Sequence, residues 1–208
     1  IVLYNINIDS KAQYKVVDGV LYSQDLSVLY EDLLKSQKRV IEISASTILI
    51  KEKAFYGSMV TKVIISGKVT MENNVFGNND YLNGVVFTTS KLPIITETSF
   101  EKGMYIYFPN SVIDSVHQDY IYDEYKVNSI LSLSSETYTI KVGEKVRLTP
   151  IAMIDYNDGD IHYLSSDNDV LTVEDRVLIG QKAGKVTLTI SLVKEEAYVV
   201  VITINVEK

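Results

Sequence analysis

Between Val40 and Phe100 one pattern of apolar and polar positions is written three times, as RVIEISASTILIKEKAFYG, TKVIISGKVTMENNVFGNN and NGVVFTTSKLPIITETSFEKG. Each pass holds a triplet with apolar ends (Ile41-Glu42-Ile43, Val63-Ile64-Ile65, Val85-Val86-Phe87) and a second apolar anchor (Ile50, Met71, Ile95). Each also holds a Phe preceded by a small or β-branched residue (Ala54-Phe55, Val75-Phe76, Ser99-Phe100). Ile43 to Ile65 is 22 residues, Ile65 to Phe87 is 22, and Phe87 to Phe108 is 21. A fixed period of this size predicts a solenoid, in which each coil buries its apolar face only by stacking on its neighbours. Side chains alternate along a strand, so the outer residues of each triplet face one way and the central residue the other. Ile6/Ile8, Ile41/Ile43, Val63/Ile65, Val85/Phe87 and Ile106/Phe108 are therefore expected to fill the interior.

The opposite face then carries Asn7, Glu42, Ile64, Val86 and Tyr107 in a ladder. Ile64, Val86 and Tyr107 would form a contiguous apolar stripe flanked by Lys62 and Tyr105, a candidate protein-binding surface. Two plainer readings stand beside it: strands favour β-branched residues anyway, or a hairpin or neighbouring chain covers the stripe.

Around these repeats the pattern changes. Tyr4 to Asp9 alternates apolar and polar with period two and reads as the strand of an earlier coil. YKVVDGVLYSQDLSVLY follows, with Asp18-Gly19 and Ser23-Gln24-Asp25 as turn signals, and predicts a hairpin inserted into one coil from about Val17 to Tyr30. After Tyr105-Ile106-Tyr107-Phe108-Pro109, Asn110-Ser111 offers an N-cap, and Val112, Ile113, Val116 and Tyr120 follow with helical spacing. That predicts a short helix capping the array, whose last coil would otherwise expose its stacking face. From Ser132 onward short strands follow one another with turns at Gly143, Gly159, Gly180 and Gly184, which predicts a small antiparallel β-sandwich. The expected domains are 1–131 and 132–208, meeting near Asn128 to Leu133.

Composition narrows the class of protein. With 46% hydrophobic residues and three prolines the chain is globular, and it contains no apolar run long enough to span a membrane. It opens at Ile1 without a leader pattern, which reads as a mature or excised fragment. Cysteine is absent, removing disulfides, Cys-ligated zinc and thiol nucleophiles together. A net charge of −7 with no cationic block argues against nucleic acid. Fifteen tyrosines suit half-buried strand surfaces with one wet end. The only histidines, His117 and His162, fall in different expected domains, and no phosphate loop or hydrolase motif occurs. No catalytic, cofactor or metal site is therefore expected. The acidic loop Asp155 to Asp160 reads as a solvated turn, with a weak Ca²⁺ site as the alternative, because the bidentate Glu of an EF-hand is missing. Glu195-Glu196 reads as an exposed turn.

YNINIDSKAQYKVVDGVLYSQDLSVLY followed by VIEISASTILIKEKAFYG resembles the BspA-like leucine-rich repeat family of bacterial surface proteins, over about Tyr4 to Leu131. Asp18 to Ser23 matches that family's DGVLYS hairpin, whereas Ser44, Ser66 and Thr88 stand where it usually has Pro, and only Pro109 keeps it. Its frequent Cys after the Phe is replaced near Ser58 and Asn79. YTIKVGEKVRLTP, YLSSDNDVLTV and VLIGQKAGKVTLTIS resemble the bacterial immunoglobulin-like group 2 domain, with Tyr163 for the usual Trp. Asp175-Arg176 stand where that domain has Gly, which predicts a less tight turn. Together the resemblances imply a mainly β chain: a short leucine-rich-repeat solenoid with an inserted hairpin and a helical C-terminal cap, then an immunoglobulin-like β-sandwich. They imply an extracellular binding or adhesion segment at a bacterial surface or in a secreted protein. Its partner would be a host or extracellular-matrix protein or another surface glycoprotein, with the immunoglobulin-like domain as spacer. The alternative is an accessory region of a larger secreted enzyme.

Overall fold

The computed structural model describes residues 13–193 and 197–208, so the expected strand at Tyr4 to Asp9 and the turn at Glu195-Glu196 lie outside the described residues. The chain is mainly β, 43% strand and 7% helix, and contains a β-solenoid of about five turns. It divides into two compact units: one ends at Asn128, and the other runs from Ser129 with Pro109–Ser111 belonging to it.

The first unit contains β1 (Tyr14–Val17), β2 (Val20–Ser23), β3 (Val28–Asp32), β4 (Val40–Ile43), β5 (Leu49–Ile50), β6 (Lys62–Ile65), β7 (Thr70–Met71), β8 (Val85–Phe87), β9 (Tyr105–Phe108) and β10 (Lys126–Ser129). One sheet has the order β10-β9-β8-β6-β4. Its parallel pairs keep the repeat's register: Ile41 lies beside Val63, Val63 beside Val85, and Val85 beside Ile106. Ile41, Ile43, Val63, Ile65, Val85, Phe87, Ile106 and Phe108 are all buried in one core, as the alternation of the triplets requires.

The Phe at the end of each repeat forms a second column. Phe55 stacks on Phe76 at 5.3 Å and 7°, and Phe76 on Phe100 at 5.4 Å and 6°. Phe87 stacks on Phe108 at 4.9 Å and 9°. Both columns finish edge-on against tyrosines from later in the chain, Phe100 against Tyr125 and Phe108 against Tyr122. Offset stacks and T-shaped ends both suit the ring quadrupole, so the same packing rule extends the columns and closes them.

The hairpin differs from its expected form. It is a three-stranded meander, β1-β2-β3, and its third strand runs parallel to β5, which in turn pairs with β7. The insertion is thereby a wall of the solenoid and not an appendage. Its first turn is the expected two-residue one, with Val17 opposite Val20 and positive φ at Asp18 (48°) and Gly19 (76°), the I′-type geometry that Asp-Gly favours. The coil is tied back through Asp32, fully buried, whose carboxylate accepts hydrogen bonds from Arg39, from the Ser58 hydroxyl and from the Leu34 amide. A carboxylate buried without such donors would be strongly destabilising.

Past β9 the chain makes a 3₁₀ turn (Asn110–Val112), α1 (Ile113–His117) and a second 3₁₀ turn (Tyr120–Tyr122). Asn110-Ser111 do not cap α1: its N-cap is Val112, with no side-chain bond, because the intervening 3₁₀ turn moves the helix start downstream. Val116 is fully buried, and Val112 and Ile113 pack against the same core as the Phe columns.

The second unit contains β11 (Leu131–Ser132), β12 (Thr137–Lys141), β13 (Lys145–Arg147), β14 (Ile151–Ala152), β15 (Ile161–Ser165), β16 (Leu171–Glu174), β17 (Val177–Gly180), β18 (Gly184–Val193) and β19 (Ala197–Glu207). They form a four-stranded sheet β12-β19-β18-β15, a three-stranded sheet β13-β17-β16 and a two-stranded sheet β11-β14. Val186, Leu188, Ile190 and Leu192 of β18 and Ile202, Ile204 and Val206 of β19 are buried at alternate positions. Two expectations need correction. The unit is not wholly antiparallel, since β12 runs parallel to β19 with Thr137 beside Thr203. The turn at Asp175-Arg176 is also tight: Glu174 pairs with Val177, and both turn residues take positive φ (49° and 65°) without any glycine.

Two measurements follow from this packing. Phe76→Ala, which removes the middle ring of a column, should lower unfolding stability by about 3–5 kcal/mol in urea denaturation. Tyr22, buried in β2, has its phenol pushed up from 10.0 to about 12, mainly by burial. The neutral phenol is the form the fold prefers, so this contribution is intact below pH 10 and is lost as pH rises through about 12. In an alkaline titration followed by phenolate absorbance, the Tyr22 signal, taken as the difference from Tyr22→Phe, should appear only near pH 12, where the first unit also loses stability.

Candidate functional site

The outer face of the sheet β10-β9-β8-β6-β4 is assembled by pairing alone. Glu42 lies beside Ile64, Ile64 beside Val86, and Val86 beside Tyr107, while Val40 lies beside Lys62 one row away. Pairing thus sets Glu42, Ile64, Val86 and Tyr107 in one row, while Asn7, the first rung expected, lies outside the described residues. Tyr105 is exposed at 43%, and Ile64, Tyr107 and Lys62 are half-buried.

Val86 departs from expectation. It is fully buried yet lies outside the core cluster, so it offers no surface in an apolar stripe. The physical reason is the lean of Tyr107. A Cβ at Gly84 would stand 2.6 Å from Tyr107 Cε2, so the ring lies over β8 on the side where residues 84 and 86 project. Glycine at position 84 is what permits this approach. What remains open is an aromatic edge: the Tyr105 and Tyr107 rings lie 6.4 Å apart with 15° between their planes. Burial raises the Tyr107 phenol above its ordinary value, and the neighbouring Tyr105 adds to the effect.

Cations sit against this aromatic edge. Lys126 Nζ lies 4.6 Å from the Tyr105 ring centre and donates to the Tyr105 hydroxyl at 3.4 Å. At the entry to β4 and β8, Lys38 Nζ lies 4.2 Å over the ring of Tyr81, itself 42% exposed. Ammonium groups over aromatic faces are held by the ring quadrupole. Sequence reasoning missed Lys38, Tyr81 and Lys126 because they lie outside the strand triplets. The only available signal was the coil spacing of 21 between Tyr105 and Lys126.

The remaining candidates do not converge. His117 ends α1 and His162 lies in β15, both exposed and in separate units. The Asp155 to Asp160 loop is occupied with its own contacts. Asp158 is bound by both terminal nitrogens of Arg176, at 2.5 and 2.8 Å, and that hydrogen bonding holds its carboxyl below the usual range. Asp160 accepts from the Asn157 amide at 2.7 Å in a capping box. Among the described residues no three His, Asp or Glu side chains gather as a metal site would require. No helix of the described residues is long and apolar enough to cross a membrane. No protein-family model matches this chain, and a comparison with curated proteins finds no match. Calcium titration by calorimetry should yield no tight isotherm, and Asp158→Ala should leave that flat titration unchanged.

Proposed function

We propose that this chain is a non-catalytic binding segment of a bacterial cell-surface or secreted protein, acting outside the cell. The solenoid recognises a host or extracellular-matrix protein or another surface glycoprotein, and the second unit, read as an immunoglobulin-like sandwich, serves as a spacer. The observation that carries this reading is the outer sheet face, where Ile64 and Lys62 of β6 and Tyr105 and Tyr107 of β9 stand on parallel strands, with Lys126 against the Tyr105 ring. Tyrosine is favoured at contact surfaces because it presents large area and a polar tip at low entropic cost. The sequence resemblance to BspA-like repeats supports the same class, and α1 with its flanking turns is read as the cap that closes the array.

The test is solid-phase binding to immobilised matrix and host-surface proteins. Tyr107→Ala and Ile64→Glu should each weaken attachment several-fold. Ile64→Glu should leave the thermal midpoint nearly unchanged because Ile64 is only half-buried, whereas Tyr107→Ala should lower it modestly because it uncovers Val86. Attachment unaffected by either change would remove the face from consideration.

A further inference from the structure

The second unit contains a cavity of about 200 Å³ lined by Arg147, Thr149, Tyr156, Asp158, Tyr163 and Arg176, among others. It is smaller than the roughly 300–1,000 Å³ of drug-sized ligand sites, and so suits a single sugar- or amino-acid-sized group. Three elements and a loop bring these residues together: Arg147 ends β13, Tyr163 lies in β15, Arg176 forms the turn between β16 and β17, and Tyr156 and Asp158 come from the acidic loop.

Three features set this cavity apart from an ordinary surface cleft. Arg176 holds a left-handed backbone conformation (φ 65°) that glycine would adopt without strain, and from there its guanidinium grips Asp158 through both terminal nitrogens. The Asp158 side chain is 76% exposed and that of Arg176 31%, so the carboxylate of the pair stays open to the cavity and to water, where the pairing itself contributes little to stability. The Tyr163 hydroxyl is fixed by donating to the Leu148 carbonyl at 2.9 Å, which locks one aromatic wall. Arg147, exposed and without an ion pair among the described residues, leaves the lining with two cations to one anion.

We propose that this cavity binds an acidic monosaccharide unit, its carboxylate on Arg147, its hydroxyls on the Asp158–Arg176 pair and its C–H face against Tyr156 or Tyr163. One surplus positive charge matches a monoanion, whereas a phosphate dianion would meet the Asp158 carboxylate. Guanidinium groups pair carboxylates through a planar fork, and a carboxylate beside a guanidinium offers the mixed donors and acceptors that sugar hydroxyls need. This site is independent of the solenoid face and does not rest on the reading given for it.

The test uses the full chain, with calorimetry and NMR titration against glucuronate, glucose, acetate and inorganic phosphate. Glucuronate should bind in the millimolar range and shift the resonances of Tyr156 and Tyr163, with glucose, acetate and phosphate at least about tenfold weaker. Arg147→Gln should weaken glucuronate binding about tenfold with no change in thermal midpoint. Arg176→Gly should weaken it as much while leaving the midpoint level or higher, because glycine relieves the turn. Methyl β-glucuronide separates the sources: undiminished binding marks the terminal unit of a glycan, and loss of binding marks the free sugar acid. Acetate or phosphate binding as tightly as glucuronate, or an Arg147→Gln chain that binds it unchanged, would overturn the proposal. So would a lower midpoint in Arg176→Gly, or a peptide ending in Asp that outcompetes the sugar.

Discussion

Ring stacking at the coil spacing is the constraint on which the first unit depends. Phe55, Phe76 and Phe100 stack with nearly parallel planes at 5.3 and 5.4 Å, and this holds only if successive coils stay in register where the rings sit. The strand pairs on the sheet side impose the same register through backbone hydrogen bonds, so side-chain and main-chain periods agree. A slip of one residue would turn every interior side chain outward and break both columns together. The edge-on tyrosines at Tyr125 and Tyr122 complete the arrangement by giving the last rings a partner. Everything on the outer face, including the placement of Tyr105 and Tyr107, inherits its spacing from this stack.

The parts legible in the sequence are those governed by a period. The spacing of Ile43, Ile65 and Phe87 predicts the parallel ladder, and the alternation within each triplet predicts which residues fill the core. Asp18-Gly19 predicts its tight turn because only a few residue pairs tolerate that backbone. Val86 could not be read in this way. Its burial depends on how far the Tyr107 ring leans across Gly84, a matter of rotamer and neighbouring backbone that carries no period. The start of α1 was obscured for a similar reason, since a 3₁₀ turn and a helix share their first apolar spacings.

In the second unit, strand existence was legible and strand direction was not. Alternation in β18 and β19 marks their buried faces, but nothing in β12 announces that it runs alongside β19 in the same sense. The Asp158–Arg176 pair joins positions 18 apart in sequence, a distance that no local motif spans. The Asp175-Arg176 turn runs against propensity, since two non-glycine residues there take the conformation that Asn-Gly or Asp-Gly would adopt more readily. Departures of this kind, where a local rule is broken and the fold holds, gather where a side chain is needed for something beyond packing.

The pairing of β12 with β19 has a mechanical consequence. β12 is the first strand of the four-stranded sheet in chain order and β19 the last, and they run side by side through five register pairs, Thr137 with Thr203 to Lys141 with Glu207. Tension applied through the two ends of this unit would pull the neighbouring strands past each other along their length. Their hydrogen bonds would then bear the load in shear, all at once, instead of parting one by one as a hairpin unzips. Resistance to forced unfolding is set by the height of that rate barrier and not by equilibrium stability. A modest number of hydrogen bonds so arranged can keep a tethered domain folded under a pull that would open the same bonds in sequence.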